Sequence, residues 1–403
     1  MGILERISQK EEWDDFFKSK LELGHLSQKE AADLGTFIGN GEYAELALKI
    51  LNGGTFSPAR KTLLNKAKNG KKRTVYTYNR EENYILKLIT HLLHEYDYIF
   101  APNLYSFRKE YGVKNAARNI LKIKDLSDYY VYKLDISNYF NSVDVDKLLP
   151  ELKSVLKNDT ALYTFIVSLL QFPYAVYDGE PVYESRGIMA GVPISSFLAN
   201  LYLSSLDHYF YNEDVLYIRY SDDILVFSKS YDELQRHKAY IKNSLEMHGL
   251  SVNEKKECLS HPHEEWTFLG FSYKDGILDV SSVSVEKLKH KMRRKSRALK
   301  RWADRNNVEP SKAATVFIRR FNEKFFNNPD ENDLTWSRWF FPVINTDRSL
   351  HNIDLYMQDC IRFIATGKRN KSRFNFSYSD MKKSGYISLV NEYYKNSEKK
   401  IKE

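Results

Sequence analysis

Hydrophobic and polar positions follow three successive patterns along this chain. Residues 10–52 carry helical periods, of which the clearest is the amphipathic stretch 43–51 before Gly53 and Gly54. The middle of the chain mixes short apolar runs with helical periods, and the chain becomes helical and basic after residue 284. This order predicts an α+β fold in which a small antiparallel sheet carries helices on one face and is followed by a helical region.

Apolar runs bounded by turn-forming residues predict the elements of the middle region. A strand over 129–134 ends at Asp135, and a helix over 145–156 follows with Ser142 or Asp144 as its N-cap. Pro150 within that helix predicts a kink or a break into two short helices. The further predicted elements are a helix over 81–97, one helix face over 197–210, a hairpin of strands 215–220 and 224–228, a helix over 232–248 that ends at Gly249, and strands over 266–273 and 277–280.

Composition narrows the class of protein. The chain has 403 residues, of which 42% are hydrophobic and 28% are charged, as expected for a globular protein of two or three domains. No apolar run approaches the roughly 18 residues that span a bilayer. The first residues lack a signal-peptide core, so a cytoplasmic location and no membrane partner are expected. Cys258 and Cys360 form no CxxC pair, and we expect both to be reduced thiols.

The charge distribution indicates a polyanionic partner. The net charge is +8, and residues 287–301 contain nine Lys or Arg and no acid. As a helix, this run would spread positive charge around most of its circumference, and 29 Tyr and 23 Phe offer surfaces for base stacking. A solvated helix face is the alternative. The residues predicted to contact nucleic acid are Lys291, Arg293, Arg294, Arg297, Lys300, Arg301, Lys368 and Arg369.

Three carboxylates suggest the chemistry. Asp222 and Asp223 lie at the tip of the predicted hairpin, within Tyr220-Ser221-Asp222-Asp223, and Asp135 lies at a strand end. Polymerases hold two Mg²⁺ ions roughly 4 Å apart with carboxylates that the fold brings together. Mg²⁺ prefers hard oxygen ligands and keeps several waters, so few protein ligands suffice. The alternative is that the aspartate pair merely shapes the turn.

A third segment, residues 187–200, lies between these carboxylates. It reads GIMAGVPISSFLAN, whose glycines permit a close approach of backbone and whose Pro193, with Ser195 or Ser196, predicts a helix start. Asp135 to Phe140, this Gly-x-x-x-Gly-x-Pro segment and Tyr220 to Asp223, in that order, resemble motifs A, B and C of reverse transcriptases. Residues 250–256 resemble motif D, Phe268 to Phe271 resemble the motif E strand, and Lys72-Arg73 and Ser106-Phe107-Arg108 resemble two finger motifs.

The resemblance, which covers roughly residues 60 to 275, implies roles for individual residues. The implied catalytic residues are Asp135, Asp222 and Asp223, and the implied metal site adds Ile136 and holds two Mg²⁺ ions, with Mn²⁺ as a substitute. The implied substrate-binding residues are Lys72, Arg73, Arg108, Phe140, Gly191, Pro193 and Lys256. Phe140 resembles the steric gate against a 2′-hydroxyl, and a core aromatic is its alternative. Lys256 resembles a general acid, and Lys255 or a plain solvated lysine compete with that assignment.

The family implies a right-hand polymerase with α/β fingers and palm, a ferredoxin-like palm sheet and a helical thumb. The expected boundaries are an N-terminal helical extension over 1–60, fingers over 61–128, a palm over 129–275 with a finger-like insertion at about 150–185, and a thumb and C-terminal region over 281–403. The implied activity is RNA-directed DNA synthesis, in which dNTPs are added to a 3′-hydroxyl to give a DNA product.

Departures from the family pattern favour one group. At motif B, group II intron and retron enzymes carry a sequence like Pro-Gln-Gly, and this chain has Met189-Ala190-Gly191 there. The Ser-Pro that usually follows is replaced by Ser195-Ser196. The chain is most similar to stand-alone bacterial antiphage-defence reverse transcriptases, which implies a structured noncoding RNA template and leaves an oligomer open. The alternatives are a retron-like or group II intron-like enzyme, a non-templated or protein-primed DNA polymerase, a viral-type RNA polymerase, and a non-enzymatic RNA-binding module.

Overall fold

A computed structural model describes residues 1–22, 26–65, 72–185, 187–326, 335–368 and 370–402 of the chain. The chain divides into two compact units. The first comprises residues 1–116 and 128–262, and the second comprises residues 117–127 and 263–403. Within the described ranges, no helix is both long enough and apolar enough to cross a membrane.

The first unit is rich in helices. In chain order they are α1 (Ile3–Arg6), α2 (Lys10–Glu22), α3 (Gln28–Gly39), α4 (Glu42–Leu51), α5 (Arg80–Leu93), α6 (Val113–Leu121, which runs into the residues of the second unit), α7 (Tyr139–Ser142), α8 (Val145–Val155), α9 (Thr160–Leu170), α10 (Ser195–Tyr202), α11 (Ser204–Asn212) and α12 (Tyr231–Met247). The predicted helical start of the chain is confirmed. Helix α5 is shorter than predicted because a 3₁₀ helix, His94–Ile99, continues it.

The predicted break at Pro150 and the predicted single helix over 197–210 are wrong, whereas the kink that was the alternative at Pro150 stays a prediction. Helix α8 begins after Asp144, whose carboxylate accepts the backbone N–H groups of Asp146 and Lys147, and it runs unbroken through Pro150. A proline at this depth removes one backbone hydrogen bond, and the packed helix tolerates that loss. The predicted helix over 197–210 is instead α10 and α11, separated at Leu203, whose φ of −114° and ψ of 17° leave the helical region.

The strands of the first unit form two sheets. They are β1 (Ala59–Asn65), β2 (Lys72–Thr77), β3 (Tyr130–Asp135), β4 (Tyr174–Tyr177), β5 (Glu180–Tyr183), β6 (Tyr217–Tyr220), β7 (Asp223–Ser228) and β8 (Cys258–Ser260). One sheet has the order β2-β1-β4-β5, in which β1 and β4 are parallel. The other has the order β6-β7-β3-β8 and is antiparallel throughout.

The second of these sheets has the ferredoxin-like arrangement that the motifs predicted. Along the chain its elements run β3, helices, β6, β7, helix α12 and β8, which is a βαββαβ order. Apolar residues of its two central strands, among them Leu134 and Ile224, are fully buried and join one continuous core with the surrounding helices. This core fixes the two strands that carry the candidate carboxylates. The predicted α+β fold class is confirmed.

The second unit combines a small antiparallel sheet with helices. Its elements are β9 (Trp266–Phe268), β10 (Phe271–Lys274), β11 (Ile277–Val280), α13 (Ser282–Arg305), α14 (Pro310–Phe326), α15 (Trp336–Phe340), α16 (Arg348–Thr366), α17 (Tyr378–Lys383) and α18 (Leu389–Lys402). The single strand predicted over 266–273 is wrong. Leu269 and Gly270 form a tight turn between β9 and β10, with φ values of 50° and 90°.

Helix α13 contains the basic run but does not expose it on every side. Val285, Leu288, Met292, Ser296 and Ala303 form a buried stripe along the helix. One face packs to hold the helix in the unit, and the expectation of positive charge around most of the circumference is confirmed on the remaining faces. The lysines and arginines occupy the remaining faces.

The carboxylate of Asp354 on α16 anchors the end of the second unit. It accepts hydrogen bonds from the Tyr386 hydroxyl at 2.9 Å and from the Ser388 hydroxyl at 2.6 Å. It also accepts the backbone N–H groups of Leu389 and Val390, at 3.0 and 3.2 Å. A buried carboxylate thereby supplies partners for the first turn of α18, where backbone N–H groups have no partner within the helix.

Candidate active site

Asp135 and Asp223 lie directly opposite each other on neighbouring strands. Asp135 is the last residue of β3, Asp223 is the first residue of β7, and the two are paired in the antiparallel register. Side chains of directly opposed residues project from the same face of a sheet with Cβ atoms about 5 Å apart. The strand pairing therefore brings together two of the three carboxylates that the sequence singled out.

Asp222 is held beside them by the backbone. The N–H of Ile136 donates to the Asp222 carbonyl at 2.9 Å, just beyond the paired residues. Burial raises the pKa of the Asp222 carboxyl, and the charge of Asp135 raises it further. Burial also raises the pKa of Asp223 to about 6, and the Asp222 carboxylate contributes to that rise. The tip of the hairpin thus concentrates negative charge in a poorly solvated place.

The segment that follows α12 supports Asp135. The side-chain amide of Asn253 donates to an Asp135 carboxylate oxygen at 3.0 Å, and the Asn253 backbone N–H donates to the Asp135 carbonyl at 2.8 Å. The Lys256 ammonium contacts the other carboxylate oxygen. Although burial lowers the pKa of Lys256, its hydrogen bond with Asp135 raises it overall. Of the candidates Lys255 and Lys256, it is Lys256 that contacts the carboxylate.

The glycine-containing loop lies against β2 and α7. Gly191 has a φ of +102°, and a Cβ added there would lie 2.9 Å from the carbonyl oxygen of Tyr76. The Tyr76 N–H donates to the Ala190 carbonyl at 2.8 Å, and Asn141 Oδ1 accepts the Ala190 N–H at 3.0 Å. Residue 191 must therefore lack a side chain for the loop to reach the strand. Pro193 follows Val192, and helix α10 begins two residues later, at Ser195.

Phe140 lies on α7 and is partly buried. Its ring meets that of Phe107 edge-on, with 6.2 Å between ring centroids, and that of Tyr139 at 5.8 Å. Its carbonyl accepts the Ile188 N–H at 2.9 Å, which ties α7 to the glycine-containing loop. Phe140 thus stands between the finger segment and the strand that ends at Asp135. Its role as a steric gate stays a prediction.

The predicted triphosphate-binding cations occupy different settings. Lys72 and Arg73 are exposed at the start of β2, and the charge of Arg73 lowers the pKa of Asp222. Arg108 is 9% exposed, and its guanidinium donates to the backbone carbonyls of Asp97, Ala101 and Leu104. Arg73 therefore lies near the carboxylates, whereas Arg108 braces its own loop. The contact of each with a triphosphate stays a prediction.

A buried ion pair that was not predicted lies beneath the hairpin. Arg219 on β6 donates to both carboxylate oxygens of Asp207 on α11, at 2.8 and 2.5 Å. Its Nη2 also donates to the carbonyl of Asn200, at 3.1 Å. The available signal was a charged residue at position 219 in an otherwise apolar strand, since such a residue needs a buried partner.

The carboxylates are suited to divalent cations in their chemistry. Asp222 and Asp223 are hard oxygen donors whose pKa is raised first by burial. The charge of Asp135 raises the pKa of Asp222 further, the charge of Asp222 raises that of Asp223, and a bound cation would relieve this repulsion. Within the described part of the chain, no group of three His, Cys, Asp or Glu would hold a metal ion on its own. In the predicted metal site of Asp135, Asp222 and Asp223, with the Ile136 backbone beside them, substrate phosphates and water would supply the remaining oxygen ligands.

The predicted nucleic-acid contacts lie in the second unit. Lys291, Arg293, Arg294, Arg297 and Arg301 are exposed on α13, and Lys368 is exposed after α16. Lys300 is partly buried and forms an ion pair with Asp304. Arg369 lies outside the described residues. Helices α13 and α14 enclose a groove of about 230 Å³ that is lined by Lys291, Arg294, Lys295, Leu299, Phe317, Arg320, Phe321 and Lys324.

Comparison with known proteins gives one match in sequence and several in structure. An uncharacterized 91 kDa protein in cob intron of Schizosaccharomyces pombe is 28% identical over 159 residues, which cover 39% of this chain and 19% of that protein. Apo telomerase from Candida tropicalis matches at 13% identity and a TM-score of 0.46, over 82% of this chain and 69% of that one. Telomerase from Candida albicans, in complex with a TWJ fragment of telomeric RNA, matches at 13% identity and a TM-score of 0.45, over 85% and 65%.

One family profile matches the chain directly. The family described as reverse transcriptase (RNA-dependent DNA polymerase) matches residues 64–273. That range contains Asp135, the glycine-containing loop, the Tyr220–Asp223 turn and Lys256, which are the parts of the candidate active site described above. Since the match covers a little more than half of the 403 residues, the chain belongs to the reverse transcriptase family.

Proposed function

We propose that this chain is an RNA-directed DNA polymerase that adds dNTPs to a 3′-hydroxyl with two Mg²⁺ ions. The carrying observation is the register that pairs Asp135 with Asp223 and holds Asp222 beside them. Three carboxylates gathered at one end of a ferredoxin-like sheet suit two-metal nucleotidyl transfer. The family assignment supports the same reaction.

The residues around the carboxylates have different roles in the proposed reaction. Bound Mg²⁺ would activate the attacking hydroxyl and neutralise the triphosphate and the departing pyrophosphate. Asn253 orients the Asp135 carboxylate through its hydrogen bond of 3.0 Å. Lys256 keeps its proton because Asp135 raises its pKa, so it can donate a proton to pyrophosphate as a general acid. Arg73 supplies a cation near the same carboxylates.

Primer extension tests this activity. Purified protein would be given an RNA template, a DNA primer, dNTPs and Mg²⁺, and the variant Asp222→Asn with Asp223→Asn should lose extension. Asp178→Asn is the matched control, because Asp178 is an exposed aspartate in the turn of the β4–β5 hairpin. Equal extension by the wild type and the double variant would refute the proposed activity.

The groove between α13 and α14 supports a nucleic-acid partner. Five cations line it, the lining residues that the structure describes include no carboxylate, and Phe317 and Phe321 contribute apolar surface. Nine Lys or Arg within residues 287–301 would repel one another without counter-charge. Phosphates of an RNA template or of the DNA product would supply that charge. We assign the predicted contacts on α13 to this role.

We further propose a specific biological setting, in which the enzyme copies an associated noncoding RNA during antiphage defence in the bacterial cytoplasm. The support is the departure at Met189-Ala190-Gly191 from the pattern of intron and retron enzymes. Sequencing of the nucleic acid that copurifies with the protein tests the proposal. One defined RNA with complementary DNA is the expected result, and a random pool of cellular RNA would contradict it.

An intron-associated enzyme is the second candidate. The observation that favours it is the 28% identity with a protein in cob intron of Schizosaccharomyces pombe. The copurification experiment separates the two settings, since an intron-associated enzyme should bring down its own intron RNA. The groove and the carboxylates serve either setting equally.

A further inference from the structure

The side chain of Ser106 reaches the backbone of the catalytic turn. Its hydroxyl oxygen accepts the backbone N–H of Ser221 at 2.8 Å, although 115 residues separate the two along the chain. Ser106 is fully buried, and Ser221 is 6% exposed. The contact joins the finger segment that contains Ser106 to the residue immediately before Asp222.

Asn200 on α10 completes the contact from a third direction. The Ser106 hydroxyl donates to Asn200 Oδ1 at 3.1 Å, and the side-chain amide of Asn200 donates back to the Ser106 carbonyl at 2.8 Å. Asn200 is fully buried as well. The Ser106 hydroxyl therefore both donates and accepts, and its orientation is fixed by two partners.

The turn needs this partner because of its conformation. Ser221 has a φ of +60°, a left-handed conformation that is uncommon for a residue with a side chain. The strand pairing closes at Tyr220 and Asp223, so the sheet register ends at these two residues and leaves Ser221 and Asp222 in the turn. A buried N–H without a partner is costly, and the Ser106 hydroxyl meets that need.

Phe107, the residue next to Ser106, contacts the predicted steric gate. Phe107 has a φ of +54°, and its ring meets that of Phe140 edge-on. One short segment thus contacts the catalytic turn through Ser106 and the predicted sugar gate through Phe107. Displacement of the segment would affect both at once.

From these contacts we propose that Ser106 is a positioning residue for the reaction. Its hydroxyl holds the Tyr220–Asp223 turn, and with it the carboxylates of Asp222 and Asp223, in the geometry that metal binding requires. This role rests on the proposed polymerase activity. Small displacements of groups that hold reacting atoms are costly to rate, so the hydroxyl should matter more for turnover than for folding.

The variant Ser106→Ala tests the proposal. We expect kcat to fall about tenfold or more, and the Mg²⁺ concentration for half-maximal rate to rise, with the KM for primer–template unchanged. Ser228→Ala is the matched control on the same hairpin. The Ser228 hydroxyl is also buried, accepts the Ser230 backbone N–H at 3.0 Å and donates to Glu233 at 2.5 Å, at the far end of β7.

Amide hydrogen exchange provides a readout independent of activity. The Ser221 amide should be protected in the wild type and exchange faster in Ser106→Ala, whereas Ser228→Ala should leave it protected. Fast exchange at Ser221 in the wild type would overturn the proposal. Equal kcat values for Ser106→Ala and Ser228→Ala would overturn it as well. If the wild type extends no primer, the polymerase activity fails. If wild type and Ser106→Ala extend equally, only the positioning role fails.

Discussion

The Arg219 guanidinium and the Asp207 carboxylate form an ion pair in which neither side chain is exposed to solvent, with Nη2 2.5 Å from Oδ2. The Tyr217 hydroxyl donates to the same carboxylate at 3.0 Å. The pair joins strand β6 to helix α11 immediately before the turn that carries Asp222. A buried pair with its remaining groups satisfied is costly to break from one side, because the other charge is then left without a partner.

Asp207→Ala should therefore destabilise the protein by roughly 3–5 kcal/mol, as measured by urea denaturation. Replacing both partners, with Asp207→Leu and Arg219→Met, should cost less than the single change because no buried charge is left over. Asp14→Ala is the control, since it removes an exposed ion pair with Lys10 and should leave stability nearly unchanged. A double variant less stable than Asp207→Ala would contradict this account.

Gly191→Ala should destabilise the contact between the glycine-containing loop and β2. The added Cβ would lie 2.9 Å from the Tyr76 carbonyl oxygen, and we expect a loss of about 1–3 kcal/mol beyond the backbone strain. Gly179→Ala measures the strain alone, because Gly179 has a similar φ of +90° and no described residue lies within 4 Å of the added atom. Equal losses of unfolding free energy in the two variants would remove the steric argument.

Phe140→Ala should weaken the discrimination between dNTPs and rNTPs. If the ring lies under the sugar, its removal should raise the relative kcat/KM for rNTPs by roughly tenfold or more, which primer extension with each nucleotide measures. Phe172→Ala is the control, because the partly buried ring of Phe172 contacts that of Tyr174, the first residue of β4. If Phe140→Ala leaves the ratio of kcat/KM for dNTPs and rNTPs unchanged, Phe140 is a core aromatic and not a steric gate.

Arg294→Ala with Lys295→Ala should weaken RNA binding and make it less dependent on salt. If both cations contact phosphates, the slope of log K against log salt should fall by between one and two. The control is Lys287→Ala with Arg305→Ala, which removes the same charge from exposed positions of α13 that do not line the groove. Equal changes in the two pairs would assign the effect to net charge alone.

Mg²⁺ should raise the melting temperature of the wild type. A ligand that binds only the folded state stabilises it by mass action, and the crowded carboxylates of Asp222 and Asp223 are the expected binding groups. Asp222→Asn with Asp223→Asn should abolish that rise, whereas Asp178→Asn should retain it. A Mg²⁺-dependent shift that persists in the double variant would locate the ion elsewhere.

Local patterns were sufficient to predict the elements that carry the chemistry. The strand ending at Asp135 and the hairpin around Asp222 and Asp223 have short apolar runs with clear ends, and the ordered motifs implied the ferredoxin-like sheet. Only the folded chain gives the register that pairs Asp135 with Asp223, because strand pairing depends on residues almost ninety positions apart. Which of two adjacent lysines contacts Asp135 was likewise a question of geometry.

The errors share a physical origin. Helical periodicity continues across Leu203, and apolar character continues across Leu269, so a count of apolar positions detects neither interruption. The support of the turn by Ser106 and Asn200 escaped prediction because each contact joins distant segments through ordinary polar side chains. Sequence patterns report which face of an element is buried, and they do not report which buried polar groups meet.

The four hydrogen bonds that Asp354 accepts anchor the start of α18, and the Tyr393 hydroxyl adds a further contact with the Ile344 carbonyl. If that carboxylate is lost, residues 386–402 lose their anchor while α13, α14 and α16 keep their mutual packing. The C-terminal segment would then open as a separate cooperative unit, at a free energy below that of global unfolding. Limited proteolysis would first remove this segment, and its susceptibility would report on Asp354 rather than on the stability of the polymerase core.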